Sequence, residues 1–158
     1  MKLKSIFLAF ALLFLPISLI AKSDTNTTCT KGLVCVDSSD FIAEVIKVRN
    51  RGTIATVQIR FISKIKKLSM YFGNYYHRHA LLVDANGQDI KINGDAISGF
   101  ELKQGAKQVV SFTFKSKDKK PIAEPFDVTV KSRDYEVTFF DLKTKSSKQS
   151  KDDNITQN

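Results

Sequence analysis

The sequence is poor in the residues and motifs that carry catalysis. It has two histidines and two cysteines among its 158 residues, and neither histidine stands beside a carboxylate. It lacks the G-x-S-x-G nucleophile elbow, a glycine-rich loop for phosphates and a nicotinamide-binding fingerprint. Acidic pairs such as Asp89 with Asp95 are typical of hairpins and loops, in which carboxylates form turns. We therefore predict that the protein is not an enzyme and binds no cofactor.

Beyond residue 21 the sequence also lacks any long stretch with the hydrophobic period of 3.6 residues that predicts a helix. The first 21 residues differ, because Lys2 and Lys4 precede an uncharged apolar stretch at 6–20, and the small residue Ala21 follows it. This order predicts a secretory signal peptide at 1–21. An uncleaved anchor is the alternative, because the apolar run has about the minimum length for spanning a bilayer. With cleavage, we predict a periplasmic or secreted protein without a membrane span.

The chain beyond the predicted signal divides into three parts by composition. Residues 22–40 form an N-terminal segment with both cysteines, and 41–142 carry the alternating apolar patterns of one β-sandwich domain. Residues 143–158 are polar and charged. They have too little apolar surface to offset the entropy of ordering, so we predict a disordered tail.

Positive charge exceeds negative charge, with 25 Lys and Arg against 16 Asp and Glu. Such an excess favours contact with anionic surfaces, such as lipid headgroups, acidic glycans or nucleic acid. The lysine clusters at 64–67 and 115–120 equally serve solubility and protect sheet edges from aggregation. The sequence has no helix or sheet motif of a known nucleic-acid reader. We predict a protein or an anionic glycan as the partner, and no nucleic acid.

The two cysteines, Cys29 and Cys35, lie close together just after the predicted signal. In an oxidising compartment an isolated pair of this kind indicates a disulfide. Gly32 would give the short loop its turn, and the bond would pin the N-terminal segment locally. A redox or metal-binding pair is the alternative, but the spacing is not C-x-x-C and no histidine lies nearby. We predict a structural disulfide.

Two-fold periodicity dominates the rest of the chain. Runs with apolar residues on one face predict strands at 41–48, 53–63, 79–84, 88–92, 108–114, 126–130 and 135–142. Asn86-Gly87 is among the strongest short hairpin signals. Two packed sheets bury such alternating faces, so we predict an all-β, immunoglobulin-like antiparallel β-sandwich of roughly seven strands. A closed barrel is the alternative.

The connector at 64–79 combines aromatic and basic residues, a composition typical of recognition surfaces. We predict that it binds a partner through Tyr71, Tyr75, Tyr76, Arg78, Lys66 and Lys67. The alternative is a connector whose Leu68, Tyr71 and Phe72 reach the core. The segment is compatible with a strand and a crossing loop, or with a short helix.

His77 and His79 lie two positions apart, and residues at this spacing on a strand point the same way. Two imidazoles could therefore face one metal ion, with Asp84 or Met70 as further ligands. Arg78 between them opposes a cation, so we predict no metal site. A periplasmic metal-handling protein using His77 and His79 stays open as an alternative function, as does a purely structural envelope component.

Several turns and strands also follow a family pattern. The sequence reads LVDANG at 82–87, LKQG at 102–105 before an alternating strand, and PFDVTV and YEVTFFDL near the end. Over about 40–142 it resembles the immunoglobulin-like domains of bacterial exported proteins and lipoproteins, of the immunoprotective extracellular antigen type. The resemblance implies a β-sandwich with a role in binding or envelope assembly and no catalytic residues. The lipidated cysteine of the lipoprotein members is missing. We predict an exported, non-enzymatic binding module of the bacterial envelope or extracellular space.

Overall fold

The alternating runs fold into β-strands. The computed structural model describes residues 28–72, 79–93 and 99–144. These ranges contain ten strands: β1 (Val34–Asp37), β2 (Phe41–Asn50), β3 (Ile54–Ser63), β4 (Lys67–Met70), β5 (Ala80–Val83), β6 (Asp89–Lys91), β7 (Phe100–Lys103), β8 (Lys107–Lys115), β9 (Phe126–Lys131) and β10 (Glu136–Leu142). A helix long and apolar enough to cross a membrane is not found within them. The predicted signal peptide, and all of the predicted tail after residue 144, lie outside the described residues.

The strands form two four-stranded antiparallel sheets and a small ribbon. The sheet orders are β1-β2-β3-β8 and β10-β9-β5-β6, and β4 pairs with β7 in the ribbon. Inner side chains of both sheets, among them Phe61, Phe112, Phe126 and Phe139, belong to one buried cluster. The predicted all-β antiparallel sandwich is thus confirmed, as two sheets instead of one closed barrel. All seven predicted strands are present, together with β1, β4 and β7, which have four residues each.

Strand β3 shows how the sequence pattern sets the two faces of the first sheet. Ala55, Val57 and Ile59 are fully buried on its inner face. Thr56 and Gln58 lie between them in the sequence and are half-buried on the outer face. Burying the apolar face against the second sheet removes it from water, at about 25 cal/mol per Å². The polar face remains accessible to solvent.

A β-bulge in β2 changes which residues reach that outer face. Val45 pairs with Ile59 and Lys47 pairs with Gln58, so Ile46 is an extra residue without a partner on β3. Strict alternation from the buried Val45 would point Lys47 into the core. Instead Lys47 and Arg49 are exposed on the outer face. The bulge therefore places basic side chains on the accessible side of the sheet.

A short disulfide-bonded loop covers one end of the outer face. The structure contains the predicted bond between Cys29 and Cys35. Within the loop, the backbone N–H of Thr30 donates to Oε1 of Glu44 at 2.6 Å. Arg60 donates to the other oxygen of Glu44 from Nε at 2.8 Å and from Nη2 at 2.5 Å. The Glu44 side chain is fully buried under these contacts, and the loop is fixed to the sheet.

Asp84 joins the β5–β6 hairpin to the chain before β9. Its Oδ1 accepts hydrogen bonds from the backbone N–H groups of Asn86, at 3.0 Å, and Gln88, at 2.9 Å. Its Oδ2 accepts one from the N–H of Ala123 at 3.1 Å. Gly87 has a φ of 76°, a conformation that glycine adopts without strain. The Asn-Gly hairpin prediction is confirmed, and Asp84 is the residue that organises the turn.

The two buried carboxylates predict an acid-sensitive fold. Burial acts to raise the pKa of Glu44, but hydrogen bonds from Thr30 and Arg60 outweigh it and hold the pKa below its usual value. Burial likewise acts to raise the pKa of Asp84, and its backbone hydrogen bonds, from Gln88 first, outweigh that effect. A carboxyl whose pKa is lower in the folded than in the unfolded protein stabilises the fold at pH values above its unfolded pKa. This stabilisation is lost as the pH falls through the folded pKa.

We therefore expect the midpoint of urea unfolding to decrease as the pH is lowered from about 6 to about 3. Circular dichroism at a series of pH values measures this midpoint. The decrease should be smaller in a Glu44→Gln variant, which lacks one of the two titrating groups. A midpoint that does not change across this range would contradict the assignment.

Candidate functional site

Part of the predicted connector lies on the β4–β7 ribbon. Tyr71 is 47% exposed, whereas Leu68 and Phe72 are buried in the core. The Nζ of Lys67 lies 2.9 Å from Oε1 of Glu101, and the hydroxyl of Tyr71 donates to the same oxygen at 3.4 Å. The ion pair with Lys67 lowers the pKa of the Glu101 carboxyl. The sequence patterns gave no sign of Glu101, because the contact depends on the pairing of β4 with β7.

For the part of the connector that the structure describes, the positions of residues 67–72 distinguish a strand from a short helix and a partner surface from a core contact. Residues 67–70 form a strand, so the short-helix alternative is wrong there. The alternative in which Leu68, Tyr71 and Phe72 reach the core holds for Leu68 and Phe72 but not for Tyr71, whose side chain lies about half exposed. Lys66 is exposed, as a contact residue must be. Tyr75, Tyr76 and Arg78 lie outside the described residues, so the predicted partner surface stays a prediction.

The metal-binding alternative cannot be assembled from the described residues. His77 lies outside them, and His79 is half-buried just before β5. Of the further ligands considered, Met70 is buried in the core, and both oxygens of Asp84 accept backbone hydrogen bonds. In the described part of the chain, no three His, Cys, Asp or Glu side chains are grouped to hold a metal ion. The His77 and His79 hypothesis therefore stays untested.

A second surface, the basic groove, lies on the outer face at the β2–β3 hairpin. It is a groove of about 220 Å³ lined by Lys47, Arg49, Arg51, Ile54, Thr56 and Gln58. In the pairing of the two strands, Lys47 is opposite Gln58 and Arg49 is opposite Thr56. Arg51 follows the last residue of β2, and its backbone N–H donates to the carbonyl of Ile54 at 2.8 Å. Lys47, Arg49 and Arg51 therefore line one edge of the groove.

Polar side chains of β8 continue the surface beside the groove. The amide of Gln58 donates to the hydroxyl of Ser111 at 3.1 Å. The hydroxyls of Thr56 and Thr113 lie 3.4 Å apart, and the exposed Lys115 is paired with Ile54. The face therefore combines hydroxyl and amide groups with exposed cations and with the partly exposed apolar side chain of Ile54. The side chains that line the groove include neither a carboxylate nor an aromatic ring.

The positive charge of the basic groove is not neutralised by ion pairs. Among the described residues, carboxylates pair with Arg60, Lys64, Lys67 and Lys131. None of these ion pairs involves Lys47, Arg49, Arg51 or Lys115. On the same face, Glu44 is buried and bound to Arg60, and Asp37 is bound to Lys64. In the ranges that the structure describes, a negatively charged ligand in the groove would therefore contact cations that form no ion pair with a carboxylate.

Sequence reasoning did not identify the basic groove. It singled out the lysine clusters at 64–67 and 115–120, which are dense in the sequence. Lys47, Arg49 and Arg51 are spaced two positions apart and belong to a run with many apolar residues. Residues 41, 43 and 45 are apolar, and the next alternate positions, 47, 49 and 51, are basic. This change in the type of residue at alternate positions is the signal that would have indicated a bulge followed by a row of cations.

The comparisons with known proteins add little to these observations. No family model and no curated protein matches the chain. Among solved structures, MPT63, a secreted protein from Mycobacterium tuberculosis, is similar to it with a TM-score of 0.44 and 10% sequence identity. The match covers 68% of this chain and 91% of that chain. This level of similarity transfers neither a function nor a partner.

Proposed function

We propose that the protein is an exported, non-enzymatic binding module of the bacterial envelope or extracellular space, and that the basic groove binds an anionic polymer, a class that includes the predicted anionic glycan. The observation that carries this proposal is the row of Lys47, Arg49 and Arg51 on the outer face, without a carboxylate partner among the described residues. Export is supported by the predicted signal peptide at 1–21 and by the disulfide between Cys29 and Cys35.

The charges support a cooperative electrostatic site. Lys47 and Arg49 are two positions apart on one strand, a separation of about 7 Å. This is within the Debye length of about 8 Å at physiological ionic strength, so neighbouring cations act together on one anion. By contrast, Lys67 of the connector already pairs with Glu101. The basic groove is therefore the stronger candidate for an anionic ligand, and the connector remains a candidate for a protein partner.

The shape of the groove favours a polymer over a small molecule. Pockets that enclose drug-sized ligands have volumes of roughly 300–1,000 Å³, which exceeds the volume of about 220 Å³ here. Its basic residues are exposed, and the polar side chains of β8 continue the surface beside it. A chain that lies across this face can contact the cations in succession while its hydroxyls exchange hydrogen bonds with Thr56 and Gln58.

The test is the double charge reversal Lys47→Glu/Arg49→Glu. We expect wild-type protein to be retained on immobilised heparin, and the variant to bind it about tenfold more weakly, since each reversal replaces an attraction by a repulsion. Isothermal titration calorimetry at two salt concentrations measures the Kd, and wild-type affinity should fall with added salt.

The matched control is Lys103→Glu/Lys107→Glu, which changes the net charge equally. Lys103 lies on β7, and Lys107 lies at the opposite end of β8 from Lys115, so neither lines the groove. This control should retain most of the affinity. Equal losses in the two variants would show that only net charge matters, and failure of the wild type to bind any acidic polymer would contradict the proposed function.

A further inference from the structure

We infer that the polymer bound by the basic groove is a polyol phosphodiester, of the poly(glycerol phosphate) type, extended along β2. This inference rests on the proposed function of the groove and specifies the chemistry of its ligand. It depends on the regular spacing of the three cations and on the kinds of side chains beside them.

The spacing follows from strand geometry. Lys47 and Arg49 occupy every second position of β2, so their Cα atoms are about 7 Å apart, and Arg51 follows two positions later, just after the strand ends. Two residues of an extended chain contain six backbone bonds, two each of N–Cα, Cα–C and C–N. A glycerol phosphate repeat, from one phosphorus atom to the next through three carbons and two oxygens, contains the same number of single bonds of similar length. One phosphate can therefore meet each cation in register.

The side chains also match the two parts of such a repeat. The guanidinium groups of Arg49 and Arg51 can each donate two parallel hydrogen bonds to a phosphate, and Lys47 supplies a point charge. Thr56 and Gln58 face Arg49 and Lys47 across the groove. Their hydroxyl and amide groups can donate to and accept from the free hydroxyl of each glycerol unit.

Single-stranded nucleic acid is the main competitor, because its phosphodiester backbone has a comparable repeat. Proteins that bind it combine a basic channel with aromatic side chains on which the bases stack. The side chains lining the groove include no aromatic ring, so the bases would gain no stacking energy. In acidic polysaccharides with a carboxylate on each sugar, the sugar ring sets the distance between successive charges, and this distance does not match the spacing of the cations. The structure therefore favours phosphodiesters without bases.

The experiment measures the affinity of synthetic glycerol phosphate oligomers with one to five phosphates by fluorescence anisotropy. We expect the affinity to rise about three- to fivefold for each added phosphate up to three, and then to level off, because three cations form the row. In an Arg51→Gln variant the affinity should level off at two phosphates. Lys107→Gln, which removes one charge outside the groove, should leave the limit at three.

Two comparison ligands separate this inference from the proposed function. Oligothymidylate and oligogalacturonate with equal numbers of charges should each bind about tenfold more weakly than the glycerol phosphate oligomer. If all three bind equally and Lys47→Glu/Arg49→Glu weakens all of them, the proposed function stands and the inference is wrong. Preferential binding of oligothymidylate would also overturn it. If none of the polymers binds, both fail.

Discussion

Replacing Glu44 with Gln is expected to lower the free energy of unfolding by about 2–3 kcal/mol. The fully buried Glu44 carboxylate accepts hydrogen bonds from Arg60 and from the backbone of Thr30. An amide at this position has one acceptor oxygen fewer and no charge, so at least one donor would lose its partner. The loss is smaller than for a completely buried ion pair, because the Arg60 side chain is 29% exposed and water can hydrate it. Urea unfolding followed by circular dichroism measures the difference.

Glu136→Gln is the matched control for Glu44→Gln. Glu136 pairs with Lys131 at 2.8 Å, but both side chains are more than half exposed. Exposed ion pairs contribute about 0–1 kcal/mol, so this control should change stability by less than about 1 kcal/mol. Similar stability losses in the two variants would show that the Glu44 contacts are no stronger than a surface pair.

The second large effect is expected at Asp84. An Asp84→Ala variant removes the acceptor of three backbone N–H groups, two in the hairpin and one at Ala123. Asp84 itself is 4% exposed, and leaving buried donors without partners costs about 1–3 kcal/mol for each fully desolvated group. Because the donors lie near the surface, we expect a total loss of about 2–4 kcal/mol, measured by the same urea titration.

An Asp84→Asn variant distinguishes the two parts of this network. The remaining carbonyl oxygen can still accept from Asn86 and Gln88, while the amide nitrogen would face the N–H of Ala123. We expect about half the loss of Asp84→Ala, and faster amide hydrogen exchange at Ala123 than at Gln88. If the asparagine variant is as unstable as the alanine variant, the hydrogen bonds from Asn86 and Gln88 contribute little to stability.

The sequence predicted the strands well where a long run alternates or where a strong turn signal marks a hairpin. The runs at 53–63 and 108–114, for example, correspond to β3 and β8. Strands β1 and β7 were not predicted and β4 was only one alternative for its segment, because four residues contain few alternations; β5 and β6 are as short, but the Asn86-Gly87 turn between them revealed the hairpin. The strand β1 lies in the predicted N-terminal segment, and its pairing with β2 extends the sheet before residue 41.

The candidate site was harder to predict than the fold, for a physical reason. The direction of Lys47 and Arg49 depends on the unpaired Ile46, and a bulge is decided by the register with β3. The partner of Lys67 lies 34 positions away in the sequence, at Glu101, and is brought close only by the pairing of β4 with β7. Composition showed an excess of positive charge, but tertiary structure decides which cations have carboxylate partners.

The order of the strands in the first sheet has a kinetic consequence. Strand β3 pairs with β8, so Ile54 pairs with Lys115, a residue separated from it by more than a third of the length of the chain. Strand β5 pairs with β9 in the second sheet, joining Ala80 to Val130. Proteins dominated by such non-local pairings fold in milliseconds to seconds, more slowly than helical proteins. Under the proposed export, slow sheet closure would keep the chain unfolded, and so able to pass through a translocon, for longer after synthesis.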